Sequence, residues 1–390
     1  MPVEDLAQSG AMTPPRRYHI ERLAFGGDGV ARDEGKVVFV PGTVPGEWVS
    51  AEVLRRTPRC DFARLVEVLE PSPERIGGES LPGSVYSHMA YGVELAAKRE
   101  QLEWFLKRPV DEVHGAHSIE GYRNKIVLRS NGRGALGYCQ GSRAEILDLA
   151  RDPLAHPAIN ECLARLRSQP GFAASFKAGS TLTLRYTPHD GVRFWRDRSA
   201  PPVRLTEATP IGPMQVRADG FWQVNPAQAD TLFRTVQQHF PGGETLLDLY
   251  CGAGVFGLLL ASRFRRIVGV ETSPEAVADA RLNAQTYGVE ATYHCGDCAR
   301  LARRLLREHP GAAVLVDPPR AGLAPNVLDA LLEATPPFIG YVSCGPDTLA
   351  RDWRRLATRY RIARAELVDL FPRTQHFETF LSLQPIAPKP

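Results

Sequence analysis

The C-terminal part of the chain alternates short apolar runs with segments of helical spacing, and this pattern restricts the fold more than any other feature. Strand-like runs at residues 245–249, 267–270 and 338–342 are separated by helix-like segments. One of these segments begins at Ser273, a residue type that is typical of helix N-caps. The alternation predicts an α/β fold with a doubly wound parallel sheet, in which ligands bind at the carboxyl ends of the strands.

Three sequence motifs directly follow strands of this predicted sheet. The first is a glycine turn, Gly252-Ala-Gly-Val-Phe-Gly257, the second is Asp317-Pro-Pro-Arg320, and the third is Ser343-Cys-Gly-Pro346. Because the carboxyl ends of parallel strands meet at one edge of a sheet, we expect the three motifs to form a single site.

The glycine turn is compatible with two cofactors. It matches G-x-G-x-x-G, and Glu271 at the end of the next strand can accept hydrogen bonds from ribose hydroxyls, as in enzymes that bind NAD. A second acid, Asp248, lies at the end of the preceding strand, where it would repel a pyrophosphate and attract a cation. This charge favours S-adenosylmethionine (SAM), and NAD is the alternative.

Cys344 is a candidate nucleophile. It precedes a helix that begins near Pro346, and the N-terminal dipole of that helix would favour the thiolate. A thiolate that adds to C6 of a pyrimidine makes C5 nucleophilic enough to accept a methyl group, and a base must then remove the C5 proton. Glu378 and His376 are the candidate bases, and the spacing does not choose between them. The alternative for a single cysteine at a strand end is buried packing.

The chain divides into three predicted domains. Residues 18–70 contain about five short strands separated by glycine turns, which predicts a small β-barrel of OB type. Residues 71–220 combine a helical segment at residues 93–107 with strand-like segments, and predict a mixed α+β domain of unspecified topology. Residues 221–390 form the α/β domain, which ends in a predicted hairpin of two strands.

Positive charge is concentrated in the central part of the chain. The net charge is only +3, but residues 122–143 contain five basic residues and no acidic ones. Arg123, Lys125 and Arg129 would lie on one face of a strand. They form either a stripe that contacts RNA phosphates or an ordinary solvated face.

Composition also bears on location and partners. The seven cysteines, an odd number, do not indicate a disulfide framework. Residues 1–10 lack the basic and apolar segments of a signal peptide, and no apolar run reaches the ~20 residues needed to span a bilayer. We therefore expect a cytoplasmic protein without a membrane segment, and we take it to be a monomer.

Taken together, the motifs resemble those of the RNA uracil-5-methyltransferases along nearly the whole chain. Gly26-Gly-Asp-Gly29 and residues 38–47 are similar to a TRAM domain, and Phe221-Trp-Gln-Val-Asn225 is similar to the start of the family's catalytic domain. The Asp317 and Cys344 motifs are similar to the substrate-side motifs of the family. Phe371-Pro-Arg-Thr-Gln-His-Phe-Glu378 is similar to the segment that bears the base.

The resemblance implies a Rossmann-like class I SAM methyltransferase domain and a role for several residues. Cys344 would be the nucleophile and Glu378 the base. The TRAM-like barrel would bind RNA beside the target, and the target uridine would be flipped into the pocket. The SAM site would be lined by Gln223, Tyr250, Val255, Glu271, Asp297 and Asp317.

The chain departs from the family pattern in two places. Many relatives with a TRAM domain carry a four-cysteine iron–sulfur site, but residues 78–88 contain no cysteine here and Asp152 stands at the fourth position. Because thiolates hold such clusters, we predict no iron–sulfur cluster and no metal. Gly345 follows the nucleophile where asparagine is usual. The Cys295 and Cys298 pair lacks a second pair, and we interpret it as packing.

We therefore expect methyl transfer from SAM to C5 of a uridine in RNA, with 23S ribosomal RNA favoured over transfer RNA because of the TRAM-like domain. The competing chemistry is methylation of cytosine C5, although such RNA enzymes commonly carry Pro-Cys where Asp317-Pro-Pro-Arg320 stands here. The glycine turn by itself would also suit an NAD-dependent oxidoreductase, and a catalytically inactive RNA-binding protein is a third alternative.

Overall fold

The computed structural model describes residues 14–78, 81–140 and 145–386. Four β-sheets organise this part of the chain, and the largest of them has eight strands. None of the helices formed by the described residues combines the length and the apolar character that crossing a membrane requires.

The N-terminal unit is a curled sheet of six strands. The strands are β1 (Arg16–His19), β2 (Arg22–Leu23), β3 (Gly29–Asp33), β4 (Lys36–Val40), β5 (Trp48–Arg56) and β6 (Cys60–Glu70). Their order in the sheet is β1-β5-β6-β4-β3-β2. Buried residues along the whole sheet, such as Tyr18 in β1, Ala31 in β3 and Val49 in β5, pack into one apolar cluster. A sheet that encloses a common core in this way agrees with the predicted small barrel.

The central part of the chain contains a five-stranded antiparallel sheet and a separate hairpin. It begins with α1 (Tyr91–Leu106) and β7 (Glu112–His114). The five-stranded sheet has the order β10-β9-β8-β11-β12, and the hairpin pairs β13 with β14. These elements are β8 (Lys125–Ser130), β9 (Leu136–Gln140), β10 (Glu145–Asp148), α2 (Pro157–Arg167), β11 (Thr181–Thr187), β12 (Gly191–Arg196), β13 (Arg204–Thr209) and β14 (Gly212–Arg217). Helix α2 covers one face of the five-stranded sheet, where it buries Ile159, Leu163 and Leu166.

The C-terminal part confirms the predicted alternation of strands and helices. Its elements are α3 (Pro226–His239), β15 (Gly243–Leu249), α4 (Val255–Leu259), β16 (Phe264–Glu271), α5 (Pro274–Thr286), β17 (Ala291–Cys295), α6 (Cys298–Glu308), β18 (Ala313–Val316), α7 (Pro325–Ala334), β19 (Ile339–Ser343), α8 (Pro346–Leu356), β20 (Tyr360–Val368) and β21 (Glu378–Pro385).

The eight-stranded sheet has the order β17-β16-β15-β18-β19-β21-β20-β7. Its pairs are parallel except those made by β21, which runs antiparallel to both β19 and β20. The last two strands therefore form the expected hairpin. Strand β7 comes from the range predicted for the central domain, yet it pairs with β20 and extends this sheet.

Two apolar layers cover the faces of the eight-stranded sheet. In β15, Leu247 and Leu249 face one layer, whereas Leu246 faces the other. The chain runs from β15 through β16 to β17 at one edge, and from β18 onward toward the other edge. This change of direction opens a crevice at the carboxyl ends of β15 and β18, which is where open α/β sheets bind ligands.

Candidate active site

The turn after β15 has an unusual backbone. Tyr250 has a φ of +67°, Gly252 of +53° and Gly254 of +83°, so three residues adopt left-handed conformations within a short stretch. A Cβ on Gly254 would lie 2.8 Å from Oη of Tyr293, whereas a Cβ on Gly252 would meet no atom within 4 Å. Gly254 is therefore required by packing, and Gly252 leaves open space beside the crevice.

Asp248 lies beneath this turn and is fully buried. Its Oδ2 accepts a hydrogen bond from the backbone N–H of Gly257 at 3.0 Å, and its Oδ1 has no hydrogen-bond partner among the described residues. Burial raises the pKa of Asp248 to about 7, and the charge of Glu271 adds to this effect. An incompletely satisfied carboxyl group at this position would gain from a nearby positive charge.

Glu271 ends β16 and joins the turn to the neighbouring loop. Its Oε2 accepts from the N–H of Gly252 at 3.2 Å, and its Oε1 accepts from the N–H of Ser273 at 2.9 Å. Carboxylate oxygens have further lone pairs, so Glu271 retains capacity to accept hydrogen bonds from a ligand. The position at a strand end agrees with the geometry expected for a ribose contact.

The other residues predicted to line the cofactor site lie around the same edge. Asp297 follows β17, whose Cys295 is paired with Glu271, and it caps α6 by accepting from the N–H of Ala299 at 2.8 Å. Val255 is the first residue of α4. Gln223 is buried in the loop that leads to α3.

Cys344 and Glu378 face each other across two antiparallel strands. Ser343 in β19 pairs with Thr379 in β21, so Cys344, the residue after Ser343, lies opposite Glu378. Glu378 is 3% exposed and Cys344 is half-buried. The spacing in the sequence does not choose between Glu378 and His376, whereas the strand register places the backbone of Glu378 opposite that of Cys344, and the charge of Glu378 acts on the thiol.

The electrostatic environment of this pair is acidic. Burial raises the pKa of Cys344 to about 11, and the nearby Glu378 and Asp317 carboxylates add to the effect while Arg320 opposes it. Burial also raises the pKa of Glu378 well above its usual value, again with a contribution from Asp317. Asp317 itself has its pKa raised to about 7 by burial and by Asp248. These groups therefore influence one another within one cluster.

The thiol environment differs from the expectation based on helix α8. That helix begins at Pro346, directly after Cys344 and Gly345, as expected. A helix dipole favours the thiolate, but burial and the nearby carboxylates of Glu378 and Asp317 raise the thiol pKa. A Cβ on Gly345 would lie 2.7 Å from Oγ1 of Thr348, so an asparagine there would require this side chain to move.

His376 is held in its neutral form. Burial and, to a smaller extent, the positive charges of Arg320, Lys98 and Arg123 together lower its pKa to about 4. Its ring lies edge-on to Phe371 at 6.2 Å. A neutral imidazole can still accept a proton, but at this pKa it is a weak base at neutral pH.

The predicted basic stripe occupies one face of β8 and leads away from the site. Lys125 and Arg129 alternate with buried residues in β8, and Arg123 precedes the strand on the same face. Arg123 lies nearest the site, because its charge acts on His376. The neighbouring Tyr122 donates a hydrogen bond to the carbonyl of Pro372 at 2.9 Å.

Four buried ionic residues behind the site were missed by sequence reasoning. They are Glu94 and Lys98 in α1, and Asp369 and Arg373 between β20 and β21. The i, i+4 spacing of Glu94 and Lys98 is visible in the sequence, but such pairs usually lie on exposed helix faces. Nothing in the local pattern marks this pair as fully buried.

The residues at the expected cluster positions do not fit an iron–sulfur group. The carboxylate of Asp152 accepts from Oη of Tyr138 at 2.6 Å and from the N–H of Leu154 at 2.8 Å. Leu81, in the loop that would supply three ligands, is packed in the apolar core of the central sheet. Polar and apolar contacts hold these loops where the chain has no thiolates to offer.

Cys295, the last residue of β17, and Cys298, the first residue of α6, lie at the same edge of the sheet. Cys298 is buried in the main core, whereas Cys295 is exposed. Both remain free thiols. The interpretation of Cys298 as a packing residue agrees with its position, and Cys295 makes only a long contact of 3.6 Å to the carbonyl of Thr272.

The strand order, the glycine turn and the carboxylate at the end of β16 define a Rossmann-like domain that binds a cofactor at its carboxyl edge. A family model described as tRNA (Uracil-5-)-methyltransferase matches residues 215–385, and a TRAM domain model matches residues 18–66. An uncharacterized RNA methyltransferase of Nostoc sp. is 32% identical and covers 92% of this chain and 94% of that protein. The chain belongs to the RNA uracil-5-methyltransferase family, as its motifs predicted.

Two further relatives have more specific descriptions. The 23S rRNA (uracil(1939)-C(5))-methyltransferase RlmD of Marinomonas sp. is 29% identical and matches over 95% of both chains. The crystal structure of Pyrococcus abyssi tRNA (uracil-54, C5)-methyltransferase in complex with S-adenosyl-L-homocysteine is 26% identical, with a TM-score of 0.78. That match covers 94% of this chain and 100% of the Pyrococcus chain. The expected fold class is thereby confirmed.

Proposed function

We propose that the protein transfers a methyl group from SAM to C5 of a uridine in ribosomal RNA, through a covalent bond between Sγ of Cys344 and C6 of uracil. The observation that carries this proposal is the register of β19 and β21, which puts Cys344 opposite Glu378. The pair lies at the carboxyl edge of the sheet, where the glycine turn and Asp317 also lie. A nucleophile and a base on opposite strands can act on adjacent carbons of one ring.

The proposed reaction uses each member of the pair in turn. The thiolate of Cys344 forms a bond to C6, and the displaced electron pair makes C5 nucleophilic. SAM supplies an electrophilic methyl group on a sulfonium ion. After C5 has been methylated, the carboxylate of Glu378 removes the C5 proton, and the returning electron pair breaks the S–C6 bond. The raised pKa of Glu378 makes it a stronger base once it is ionised.

The crevice suits a cofactor that carries a positive charge. Asp248 is buried and Asp317 is half-buried, both carboxyl groups have raised pKa values, and one oxygen of Asp248 lacks a partner among the described residues. We propose that Glu271 accepts from the ribose hydroxyls and that Asp297 binds the adenine amino group. The remaining contacts of the site are assigned to Gln223, Tyr250, Val255 and Asp317.

We propose that the RNA crosses the central sheet. Arg123, Lys125 and Arg129 would contact successive phosphates along the stripe that leads to the site. Residues 1–70 contain nine basic and eleven acidic residues, a net charge of −2, so the N-terminal unit supplies no net positive charge for RNA binding. The similarity to RlmD supports ribosomal RNA as the substrate, and the Pyrococcus enzyme makes transfer RNA the alternative. We also propose a cytoplasmic location, which agrees with either substrate.

A trapping experiment tests the covalent mechanism. RNA that contains 5-fluorouridine lacks the C5 proton, so the reaction with SAM should stop at a stable protein–RNA adduct that survives denaturing electrophoresis. We expect the wild-type protein to form the adduct and the Cys344→Ser variant to form none. An adduct formed by the serine variant at the wild-type rate would contradict the assignment of the nucleophile.

The substrate and the cofactor are tested separately. RNA with 5-fluorocytidine in place of 5-fluorouridine should give no adduct, whereas preferential trapping by cytidine would support methylation of cytosine. Calorimetric titration should detect binding of SAM and not of NAD. Labelled SAM incubated with ribosomal RNA and with transfer RNA in parallel, followed by mapping of the labelled uridine, decides which RNA is methylated.

A further inference from the structure

A buried ionic network holds the loop that leads into β21. The Nζ of Lys98 lies 2.7 Å from Oε1 of Glu94 and 2.8 Å from Oδ1 of Asp369. The side chains of all three residues are 0% exposed. Oη of Tyr91 donates to the second oxygen of Asp369 at 2.9 Å. The network thus connects α1 to the first residue after β20.

Arg373 completes the network from the other end of the loop. Its backbone N–H donates to Oε1 of Glu94 at 2.7 Å, and its guanidinium donates to the carbonyl of Met89 at 2.8 Å. Arg373 is 6% exposed and has a φ of +69°. A non-glycine residue in this region costs on the order of 1 kcal/mol, so the surrounding contacts impose the conformation.

The backbone of this loop is also held along its length. Asn225 donates to the carbonyl of Leu370 at 3.1 Å, and Lys98 donates to that of Phe371 at 3.3 Å. Tyr122 donates to the carbonyl of Pro372. Glu378 follows only a few residues later as the first residue of β21. The loop therefore fixes the chain that enters β21 at Glu378, in addition to the pairing of β21 with β19 and β20.

Stability alone does not explain four buried charges at this place. Replacing a buried ion pair by apolar residues is often neutral or stabilising, because removing two charges from water costs as much as their attraction returns. Apolar side chains at these positions would not reproduce the loop conformation that the charged groups specify through their hydrogen bonds. Two of the four charges lie in α1, outside the matched catalytic region of residues 215–385.

We propose that Lys98 and Arg373 are positioning residues, which together with Glu94 and Asp369 hold the carboxylate of Glu378 in place for removal of the C5 proton. This inference rests on the proposed function. It states that the ionic network contributes to one step of the reaction, the removal of the C5 proton by Glu378. Loosening the loop should slow proton removal and leave the addition of Cys344 to C6 nearly unchanged. The covalent protein–RNA intermediate should then accumulate during turnover of ordinary uridine RNA.

The test compares variants by their rate of adduct formation, their turnover and the fraction of protein trapped as adduct. We expect Lys98→Met and Arg373→Gly to lower kcat by about 10- to 100-fold, which is typical of a misplaced general base. The adduct with uridine RNA should rise several-fold, whereas the rate of adduct formation with 5-fluorouridine RNA changes by less than about threefold. Arg373→Gly tolerates the positive φ, and Arg373→Lys keeps the charge and should restore part of the turnover.

A matched control separates positioning from general loss of stability. Arg185 and Glu207 form another buried ion pair, at 2.6 Å, in the central part of the chain. Arg185→Met should lower the midpoint of thermal unfolding to a similar extent without accumulation of the adduct. The Glu378→Gln variant provides the positive control, because it should accumulate the adduct strongly.

Two results would overturn the inference, and they are distinguishable. If the Lys98 and Arg373 variants lose adduct formation and turnover in parallel, as the Arg185 variant would if it were partly unfolded, the network has only a structural role. If the wild-type protein forms no adduct with 5-fluorouridine RNA, the proposed function fails and the inference fails with it.

Discussion

At the scale of single residues, the site places several carboxyl groups where water cannot stabilise their charges. Asp248 and Asp317 both have pKa values raised to about 7, and the pKa of Cys344 is raised to about 11. Each of these groups therefore changes its charge in response to its neighbours or to a bound cation. The unbound site favours the protonated thiol, and both the thiol and its environment should respond to pH.

The reactivity of Cys344 should reveal this environment. Because only the thiolate is alkylated, we expect its rate with iodoacetamide to rise about tenfold per pH unit between pH 7 and 10. Asp317→Asn removes a charge that raises the thiol pKa, so it should increase the rate at a fixed pH near 8.5. Mass spectrometry of the Cys344 peptide measures the rate, with the exposed Cys139 as an internal control. Slower alkylation in the asparagine variant would contradict the arrangement.

Cofactor binding should be linked to pH through the two aspartates. A bound sulfonium ion favours their ionised forms, so binding lowers pKa values that start near 7 and releases protons. The affinity for SAM should therefore increase as the pH rises from 6 to 8, by up to about tenfold per pH unit for each proton released. S-adenosylhomocysteine lacks the sulfonium charge and is the matched control. Equal pH dependence for the two ligands would argue against a role of the aspartates in charge recognition.

At the scale of elements, the turn between β15 and α4 combines two glycines with different functions. Gly254 has no room for a side chain beside Tyr293, whereas Gly252 has open space around it. Both have positive φ angles. The difference lies only in packing, so the two positions form a matched pair for substitution.

Alanine substitutions in this turn should differ in their effect on stability. Gly252→Ala should lower the free energy of unfolding by about 1 kcal/mol, the cost of a left-handed non-glycine residue. Gly254→Ala adds a contact of 2.8 Å with Tyr293 and should cost about 2–4 kcal/mol. Urea denaturation of both variants measures the difference. Equal losses would show that Tyr293 moves aside without cost.

The contacts of Glu366 in β20 with His114 in β7 and His239 in α3 should make the stability of the fold depend on pH. Glu366 is buried, and Nε2 of His114 and of His239 lie 2.9 and 2.6 Å from its oxygens. Arg364 also contacts Glu366, and Glu112 lies across from it. The hydrogen bond to Glu366 raises the pKa of His114, whereas His114 and Arg364 lower that of Glu366 despite its burial.

The sign of the effect follows from these directions. Because the pKa of His114 is higher in the folded state, protonation of His114 stabilises the fold. This stabilisation is complete below the unfolded pKa of about 6.5 and disappears as the pH rises through the folded pKa. Because the pKa of Glu366 is lower in the folded state, its ionisation stabilises the fold above the unfolded pKa of about 4.3. This stabilisation is lost as the pH falls through the folded pKa. His114→Gln should therefore lower the free energy of unfolding by on the order of 1 kcal/mol at pH 5.5 and by less at pH 8. A loss that grows with pH would contradict this arrangement.

The local pattern predicted most elements of the C-terminal sheet, and long-range contacts account for what it missed. Strand ends, caps and turn glycines around Ser273 and Gly252 depend on neighbours in the sequence. The pairing of Cys344 with Glu378 depends on the register between β19 and β21, which no short segment determines. The burial of Lys98 and the raised pKa of the thiol depend in the same way on elements far along the chain. The position of β7 beside β20 was likewise not visible in the sequence.

At the scale of the whole molecule, hydrogen bonds connect the segment that precedes β8 to the segment that leads into α3. The N–H of Asn124, just before β8, donates to the carbonyl of Val224, just before α3, at 2.8 Å, so the two ends of the central part of the chain between these residues lie side by side. Nearby, Nδ1 of His117 lies 2.9 Å from Oε1 of Gln228. The basic stripe on β8 therefore begins at this junction, beside the site.

Charge along that stripe should contribute to RNA affinity in a salt-dependent way. Arg129→Gln should weaken binding and reduce the slope of log K against log salt by about 0.7–0.9, the value for one lost phosphate contact. Arg265→Gln provides the control. Arg265 is highly exposed near the amino end of β16, at the edge of the eight-stranded sheet opposite the carboxyl ends that carry the site. Fluorescence anisotropy with labelled RNA at several salt concentrations measures both slopes. An unchanged slope for Arg129→Gln would place the RNA elsewhere.

The first and last residues of this central part of the chain, Asn124 and Val224, lie side by side, and this has a consequence for the evolution of such enzymes. When the chain leaves a domain and returns to it at adjacent points, the inserted segment can change in length or be replaced without altering the strand order of that domain. Here the inserted segment is this central part of the chain, and the domain is the one with the eight-stranded sheet. The chemistry would then stay with one ancestral sheet as the inserted unit diversified. Grafting a related insert between residues 120 and 224 is a direct way to exchange RNA preference in this scaffold.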